Sequence, residues 1–367
     1  MRLRDAAPAL FAYVTVRLAG LAVLAVWAAA AGRDAHHLLV SWDGQWYRGI
    51  ARGGYGFVRL HEDGRSLSDF AFFPLYPGLE RVVGTLAGIR YVDAGLVVSA
   101  IASLLAAWGI YAVGNHLYGH RVGIVLVVLW AALPIGIVQS MAYSESLFTA
   151  LAAWSLYAAI TGHWLWAGLA ASLAGLTRPV GVAVVAAVMV AAAIELGRGR
   201  SVDRGLPVLV GAALAPLGWL GYVGWVGVET GDPLGYFVVA ERWGNDFDGG
   251  AAFAGWIWDF LSGPDVLVGL LLCAALAVLV SLFVLCIRQR QPLPLLVFTG
   301  VLLFLALTTS GYFGSKPRYL LPAFPLLAPI AVAVSGLRPR VTVGVLTLLA
   351  AGSAVYGAFW LHGPGPP

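Results

Sequence analysis

Long apolar runs are the feature of this 367-residue sequence that most restricts its fold. A run of about 18 or more apolar residues with few charges can cross the hydrocarbon core of a bilayer as a helix. Hydrophobic residues make up 60% of the chain and charged residues 11%, whereas charged residues form about 25% of a soluble domain. The sequence therefore predicts an all-α polytopic membrane protein.

About eleven transmembrane helices are predicted. Nine continuous apolar runs supply one helix each, and the run 163–197, which "TRPVG" interrupts, is divided into two shorter spans. The nine runs are 8–31, 92–115, 121–139, 143–161, 206–228, 264–287, 292–311, 317–336 and 341–360. The first run is longer than the roughly 7–15 apolar residues of a signal peptide, so we expect it to be retained. Residues 1–367 are interpreted as a single membrane domain.

The distribution of arginine indicates how the chain is oriented, because short loops rich in Lys and Arg face the cytoplasm. With the N-terminus inside, the cytoplasmic segments contain ten arginines and three acidic residues, and the outer segments contain eleven basic and fifteen acidic residues. The two long loops, 32–91 and 229–263, are therefore predicted to lie outside. This asymmetry accounts for the net charge of +4, so no nucleic-acid partner is expected. The single lysine and the abundance of Ala, Gly and Arg suggest a bacterial protein, located in the plasma membrane.

The first outer loop begins with "SWDGQWYRGIARGGYG", which places one acid among aromatic and basic residues. Residues 43–53 are predicted to form a helix with Asp43, Tyr47 and Ile50 on one face. Residues 75–89 predict an amphipathic helix of the kind that lies in the membrane interface. Its apolar stripe comprises Leu75, Leu79, Val82, Val83, Leu86 and Ile89, with Glu80, Arg81 and Thr85 opposite. The aromatic residues of both outer loops could equally form a belt at headgroup level.

Asp43 is the strongest candidate for a catalytic residue. A carboxylate close to the membrane surface can take a proton from a hydroxyl if neighbouring aromatic side chains shape and partly dry a pocket. The alternative is a structural role, because Asp is a favoured N-cap and a helix is predicted to begin at this position.

Basic side chains in outer segments are candidates for binding a lipid phosphate, whose departure from a sugar develops negative charge. Arginine forks suit phosphate oxygens, and lysine supplies a point charge. The alternative is that these residues stand at helix ends and extend their charged groups to the membrane surface. The candidates are Arg52, Arg178, Arg242, Lys316 and Arg318.

Two charged residues fall within or beside predicted spans. Glu145, in "MAYSESLF", begins a span at the outer face. An acid at membrane depth is costly and indicates function or pairing, although a negative charge also suits a helix N-terminus. Arg17 lies inside the first span, where we expect it to reach the membrane surface or to pair with a buried polar group.

A metal site is the weaker interpretation of the remaining acidic residues. Asp246 and Asp248 form a D-x-D pattern that can hold a divalent cation, but "NDFDGG" equally predicts a flexible turn, and no metal is expected. The neighbouring residues His61, Glu62 and Asp63 are interpreted as an exposed loop tip.

Six motifs follow one another along the chain: "SWDGQWYRGIARGGYG", "FAFFPLYPGLERVV", "AYSESLF", "LTRPVG", "TGDPLGYFVVAERWG" and "RYLLPAFPL". With them the sequence resembles the PIG-V-like mannosyltransferases (GPI mannosyltransferase II type) and their bacterial relatives in the GT-C superfamily, over roughly residues 40–325. The resemblance implies a multi-spanning inverting glycosyltransferase with a GT-C-type fold. It also implies a polyprenyl-phosphate donor, expected to carry mannose. No metal or other cofactor is expected, because arginines can neutralise the phosphate. The acidic catalytic residue of the first outer loop falls on Asp43.

A lipid-linked donor of this kind can be presented from the bilayer itself. Aromatic side chains would stack on sugar faces, and the helix at 75–89 would lie where the lipid carrier approaches. The expected substrate-binding residues are Trp42, Trp46, Tyr47, Tyr76, Glu145 and Arg242. The acceptor is expected to be an extracytoplasmic glycan or glycolipid.

Other functions are compatible with the same sequence. The enzyme could transfer another sugar, such as arabinose or glucose, from the same type of donor. The chain could also be a lipid-carrier transporter or flippase, or a non-catalytic scaffold subunit. A transporter would place acids and arginines at the midplane of its spans, whereas here the charged residues are concentrated in outer loops.

Overall fold

The computed structural model describes residues 3–60, 64–198, 202–311, 313–363 and 365, which form a nearly all-helical protein. The helices of the first half are α1 (Leu3–Ala30), α2 (Ala35–Leu39), α3 (Asp43–Gly53), α4 (Leu75–Ala87), α5 (Tyr91–Tyr118), α6 (His120–Ala131), α7 (Glu145–Ile160), α8 (Trp164–Gly175) and α9 (Val182–Gly197). Those of the second half are α10 (Val202–Leu214), α11 (Leu217–Thr230), α12 (Gly235–Arg242), α13 (Ala251–Ser262), α14 (Val266–Arg288), α15 (Leu293–Thr308), α16 (Lys316–Tyr319), α17 (Ala328–Ser335) and α18 (Pro339–Leu361). One antiparallel pair of strands, β1 (Val58–Leu60) and β2 (Ser66–Ser68), pairs Val58 with Ser68.

Six helical segments in the described ranges are long and apolar enough to cross a membrane. They are α1, α5, Pro179–Gly197, Gly205–Thr230, α14 and α18. Two bent pairs raise the number to eight if each forms one span: His120–Ala131 with Pro134–Ser140, and Phe313–Tyr319 with Phe324–Ser335. The prediction of an all-α polytopic membrane protein is thus confirmed.

The predicted number of about eleven spans exceeds the six to eight that helix length and composition support. The difference comes from the apolar helices α7, α8 and α15, which have 16, 12 and 16 residues. At a rise of 1.5 Å per residue these helices are about 18–24 Å long, shorter than a hydrocarbon core of about 30 Å. Turns such as 161–163 and 176–178 end helices where the sequence suggested longer spans.

The bend after α6 exposes backbone carbonyls inside the membrane domain, and a side chain of α1 binds them. The two helices of this bent pair meet at 86°. The guanidinium of Arg17 donates to the carbonyl of Gly136 and, at 2.7 Å, to that of Ala131. Ser353 donates to the Leu133 carbonyl at 2.6 Å. Because non-helical backbone is tolerated at membrane depth where the protein satisfies its polar groups, Arg17 supports the bend. The expectation that Arg17 pairs with a buried polar group is confirmed.

Glycines allow α8 to approach its neighbours closely. A Cβ on Gly168 would lie 2.1 Å from the carbonyl oxygen of Gly211 in α10, and one on Gly218 would lie 1.9 Å from that of Ser172. Small residues permit such backbone contacts between membrane helices. The C-terminal end of α8 is thereby fixed, and with it the turn that carries Arg178.

The two long loops, 32–91 and 229–263, which the distribution of arginine predicts to lie outside, pack on one another. Trp243 of the second loop donates from Nε1 to the carbonyl of Ser68 at 2.9 Å, and its ring lies 5.1 Å from that of Trp46. The hydroxyl of Tyr222 in α11 donates to the carbonyl of Phe72 at 2.8 Å. The first outer loop is therefore held in place by both the spans and the second loop.

Both helices predicted in the first outer loop are present, but the packing of α4 differs from its amphipathic pattern. Glu80 is completely buried, whereas Leu86 is 83% exposed and Val82 is 53% exposed. A Cβ on Gly95 of α5 would lie 2.1 Å from Glu80 Oε1, so the missing side chain makes room for this carboxyl group. Ionisable side chains of membrane proteins generally face the protein interior, and apolar ones can face lipid. A helix with this pattern therefore turns its acid inward here.

Burial of Glu80 makes the stability of the protein depend on pH. Neither carboxyl oxygen has a hydrogen-bond partner among the described residues. Burial raises the pKa of Glu80 to about 9, although the positive charge of Arg48 acts in the opposite direction and lowers it. In the unfolded chain a glutamate has a pKa of about 4.3, so the unfolded chain loses this proton at a lower pH than the folded protein. The contribution of Glu80 to stability therefore decreases as the pH rises from about 4 to about 9.

Replacing Glu80 by Gln is expected to raise the thermal unfolding temperature by several degrees at pH 8 and by less at pH 5. The glutamine side chain does not ionise in this pH range, so the unfolded state gains no stability from ionisation at high pH. Unfolding of nanodisc-embedded protein across this pH range measures the effect, with the exposed Glu241→Gln as the control. Parallel pH profiles for Glu80→Gln and the wild type would contradict this account.

Candidate active site

Four charged side chains meet where α3 and α7 begin. Arg318 donates from Nη1 to Asp43 Oδ2 at 2.8 Å, and its Nε lies 3.2 Å from Glu145 Oε1. Nη1 of Arg178 lies 2.5 Å from the same Glu145 oxygen. Acid and base alternate through the group, which we call the charge cluster: Asp43, Arg318, Glu145 and Arg178.

Each member of the charge cluster stands at a helix end or in a short turn. Asp43 and Glu145 are the first residues of α3 and α7, where the helix dipole favours a negative charge. Arg178 lies directly before the 3₁₀ turn Pro179–Gly181, and Arg318 lies in the four-residue helix α16. The packing of these helix ends brings together residues that are far apart in the sequence.

The accessibility of the four side chains differs in a way that matters for chemistry. The side chain of Asp43 is 19% exposed, whereas that of Glu145 is 1% exposed. The two arginine side chains, at 7% and 9%, are also buried. Buried ions are costly unless they are paired, and the alternating order provides a partner for each. Asp43 is therefore the most accessible of the four side chains.

Two uncharged residues that contact the charge cluster, Tyr143 and Ser144, were not selected as candidates from the sequence. The hydroxyl of Tyr143 accepts the backbone N–H of Asp43 at 3.4 Å, and its ring lies 5.1 Å from the guanidinium carbon of Arg318. Oγ of Ser144 lies 3.2 Å from Arg178 Nη1. Both residues belong to "AYSESLF", in which Glu145 alone was selected because of its charge. The motif "AYSESLF" was therefore the sequence signal that could have identified Tyr143 and Ser144.

The other expected phosphate-binding cations do not belong to the charge cluster. Lys316 donates from Nζ to the carbonyls of Ala306 and Thr309 at 2.7 and 2.6 Å, at the end of α15. Arg52 and Arg242 are exposed in the last turns of α3 and α12. The structure gives Lys316 a role in binding backbone carbonyls, and it places the two arginines on the surface.

Most of the aromatic residues expected to contact sugar are used in packing. Tyr76 is completely buried and donates to the carbonyl of Gly95 at 2.9 Å. Tyr47 is buried, with its hydroxyl 2.7 Å from Ser144 Oγ, and Trp46 stacks on Phe72 at 5.6 Å between ring centroids. Tyr47 and Tyr76 therefore have no open face for a sugar, and the expectation that they stack on sugar faces is corrected.

The D-x-D segment forms a turn. The carboxylate of Asp248 accepts the backbone N–H groups of Gly250 and Ala252 at 2.8 and 2.6 Å, and these hydrogen bonds lower the pKa of Asp248. The turn interpretation of "NDFDGG" accounts for this arrangement. The predicted loop tip His61–Asp63 lies outside the described residues.

Comparison with known proteins gives information on the fold of the chain. The family described as dolichyl-phosphate-mannose-protein mannosyltransferase matches residues 78–225 of the chain, which is less than half of its length. A comparison with curated proteins gave no match.

Several solved structures resemble the chain. ArnT from Cupriavidus metallidurans in the apo state has a TM-score of 0.57 and 18% identity, covering 91% of this chain and 61% of ArnT. ArnT bound to undecaprenyl phosphate has a TM-score of 0.53 and 17% identity, covering 82% and 56%. Archaeal oligosaccharyltransferase AglB from Archaeoglobus fulgidus, in complex with an inhibitory peptide and a dolichol-phosphate, has a TM-score of 0.50 and 12% identity, covering 97% and 56%.

These similarities show that the chain has a GT-C-type fold, as the sequence predicted. The chain spans less than two thirds of the length of the structures that it resembles. At such low sequence identity the likeness concerns the fold alone, and membership of the PIG-V-like subfamily stays a prediction.

Replacing Glu145 by Gln is expected to destabilise the protein more than replacing Asp43 by Asn. Loss of Glu145 leaves the buried guanidinium of Arg178 without its carboxylate, and removing one partner of a buried ion pair costs about 3–5 kcal/mol. Asp43 is partly exposed, and Arg318 keeps Glu145 when Asp43 is neutralised. Thermal unfolding of both variants in the same nanodiscs measures the difference. Equal unfolding temperatures would show that Glu145 is not the central anion of the cluster.

Proposed function

We propose that this protein is an inverting glycosyltransferase that transfers mannose from a polyprenyl-phosphate donor to a hydroxyl of an extracytoplasmic glycan or glycolipid, with Asp43 as the general base. The observation that carries the proposal is the charge cluster, in which one partly exposed carboxylate adjoins two guanidinium groups. The GT-C-type fold supports it. The active site would face the outside of a bacterial plasma membrane.

The proposed reaction is a single displacement at the anomeric carbon of the donor sugar. Asp43 takes the proton of the acceptor hydroxyl, and the acceptor oxygen forms a bond to this carbon from the face opposite the phosphate. The bond between the anomeric carbon and the phosphate oxygen breaks, and its electron pair stays on the departing lipid phosphate. A β-linked donor thus gives an α-linked product. A general base of this kind contributes roughly 10²–10⁴ in rate.

The arginines of the cluster are proposed to stabilise the departing phosphate. A guanidinium group has five N–H donors, so Arg178 and Arg318 can contact a phosphate while they keep their pairs with Glu145. Fixed cations in a dry site stabilise developing negative charge far better than they do in water. The proposal therefore includes neither a metal nor another cofactor, and Glu145 serves to hold the two arginines in position.

The choice of donor rests on the proteins that this chain resembles. ArnT binds undecaprenyl phosphate and AglB binds a dolichol-phosphate, and the matching family is named for dolichyl-phosphate-mannose. A polyprenyl-phosphate carrier is the common element, and the family description and the six sequence motifs support mannose as the sugar. A donor carrying arabinose or glucose is the second candidate, which a panel of synthetic polyprenyl-phosphate sugars would separate from mannose.

A transporter or flippase is a less well supported function. Such a protein needs ionisable groups near the middle of its spans, whereas the four charges of the cluster lie at helix ends and in turns. The midplane is not free of charge, since Arg17 lies within α1, but its guanidinium is bound to backbone carbonyls.

Replacing Asp43 by Asn is expected to reduce transfer from polyprenyl-phosphate mannose at least 100-fold, because the amide cannot accept the hydroxyl proton. Transfer of radiolabelled sugar into a membrane extract measures the effect, and donor binding shows that the variant is folded. The exposed Asp259→Asn is the matched control and should keep full activity. Activity above about a tenth of the wild type would exclude Asp43 as the base, and unchanged activity would favour a scaffold.

Replacing Arg178 by Ala is expected to raise the KM for the donor and to lower turnover, each by about tenfold or more, because a charged donor to phosphate is lost. Arg178→Lys keeps the charge without the fork, so it should recover part of the loss. The exposed Arg81→Ala is the control. An unaltered KM and turnover in Arg178→Ala would remove this residue from the proposed phosphate site.

A further inference from the structure

Tyr47 is a buried residue of α3 that lies one helical turn after Asp43, and the proposed reaction gives it no role. Side chains four residues apart lie on the same face of a helix, with their Cβ atoms about 5–6 Å apart. The Tyr47 hydroxyl shares a hydrogen bond of 2.7 Å with Oγ of Ser144, which is completely buried. The face of α3 that carries the proposed base therefore also carries a polar contact to the start of α7.

Ser144 connects Tyr47 to the guanidinium group of Arg178. Nη1 of Arg178 donates to Ser144 Oγ at 3.2 Å and lies 2.5 Å from Glu145 Oε1. This nitrogen carries two of the five N–H donors of an arginine, so each of the two acceptors can take one hydrogen. Because a guanidinium group is planar, two acceptors on one nitrogen fix the rotation of the whole group. Ser144 thus helps to set the direction in which the remaining donors of Arg178 point.

The place of Ser144 in the chain supplies an independent indication. Ser144 is the N-cap residue of α7, where a serine side chain normally accepts the backbone N–H of the second or third helical residue. Among the described residues, its side chain makes no such capping hydrogen bond, and the hydroxyl contacts Tyr47 and Arg178 instead. Proteins depart from local stabilising rules of this kind mainly at functional sites.

The surroundings of Tyr47 hold its hydroxyl in one place. The centroid of its ring lies 5.1 Å from that of Phe72 and 4.7 Å from that of Tyr76. Burial raises the pKa of Tyr47 well above its ordinary value, so the phenol keeps its proton at neutral pH and adds no charge to the cluster. The ring is fixed by packing, and its hydroxyl is a neutral group that can fix the Ser144 side chain.

We infer that Tyr47 is a positioning residue, which acts through Ser144 to hold the guanidinium of Arg178 in the orientation that stabilises the departing phosphate. The inference rests on the proposed function, because that function assigns the phosphate to Arg178. A single turn of α3 then sets the spacing between the base, Asp43, and the cation that receives the leaving group. Transfer depends on this spacing, because small displacements of groups that orient a substrate slow a reaction strongly.

The test is a kinetic comparison on the full chain in nanodiscs, with synthetic polyprenyl-phosphate mannose as the donor and a membrane extract as the source of acceptor. Tyr47→Phe removes one hydroxyl and keeps the packed ring. It is expected to lower kcat/KM for the donor about tenfold, as the loss of one buried hydrogen bond near a charged group predicts. Ser144→Ala should cause a similar loss. The amount of extract that half-saturates the protein should not change in either variant.

Two further variants separate positioning from a general effect on stability. Tyr111 is also completely buried, and its hydroxyl lies 2.6 Å from Nδ1 of His120, so Tyr111→Phe is the matched control. It should lower the thermal unfolding temperature about as much as Tyr47→Phe does, with the donor kinetics of the wild type. In an Arg178→Ala background, Tyr47→Phe should lower kcat/KM less than about twofold further, because no guanidinium is left to orient.

The outcomes separate the positioning role from the proposed function. Wild-type donor kinetics in folded Tyr47→Phe would overturn the positioning role, and so would a full tenfold loss in the Arg178→Ala background. If Arg178→Ala is itself impaired, either result leaves the proposed function intact. If Tyr47→Phe does not fold, Ser144→Ala provides the same comparison. Coupling of Tyr47 to Arg178 in a protein whose Asp43→Asn variant still transfers mannose supports the positioning role and overturns the assignment of Asp43.

Discussion

The guanidinium of Arg318 lies between the carboxylates of Asp43 and Glu145, at 2.8 and 3.2 Å, and thereby joins the first residue of α3 to the first residue of α7. Glu145 in turn binds Arg178, which follows α8. Displacing any one of these helix ends would leave a buried charge without its partner, at a cost of several kcal/mol. The charge cluster therefore fixes the position of the first long loop relative to the spans. The glycine contacts of α8 fix the turn that carries Arg178, and so they position one member of the cluster.

The neutrality of the cluster has a meaning for the proposed chemistry. In the proposed reaction, Asp43 would lose its negative charge on taking up a proton, and the departing phosphate would gain one. Arg318 lies beside Asp43, the group that loses charge, and both Arg318 and Arg178 pair with Glu145. The positive charge of Arg318 can therefore stabilise first the Asp43 carboxylate and then the phosphate, and the total charge of the site does not change. Preorganised charges of this kind need little rearrangement during the reaction, and the buried Glu145 keeps them in place throughout.

Local patterns made part of this structure predictable. The length and apolar character of the runs gave the fold class, and the acid at the start of an amphipathic segment gave α3 with the bounds Asp43–Gly53. The pairing of Asp43 with Arg318, across 275 residues, has no local signature, although both residues were separate candidates. The inward position of Glu80 was missed for a related reason, because the sequence of α4 does not show that Gly95 leaves space for a carboxyl group in α5. Tyr76 and Trp46 were expected to contact sugar, but they pack against other residues, and these contacts depend on how the loops assemble.

The position of Arg17 in the chain bears on the order in which the protein is made. Synthesis proceeds from the N-terminus, so α1 emerges from the ribosome about a hundred residues before the bend that follows α6. No water is available in the hydrocarbon core to bind the carbonyls of that bend. Their hydrogen-bond donor, Arg17, has already been synthesised when these residues enter the membrane. The donor, Arg17, is thus synthesised before the carbonyls that it binds. A variant without Arg17 would leave these carbonyls unsatisfied during membrane insertion as well as in the folded protein.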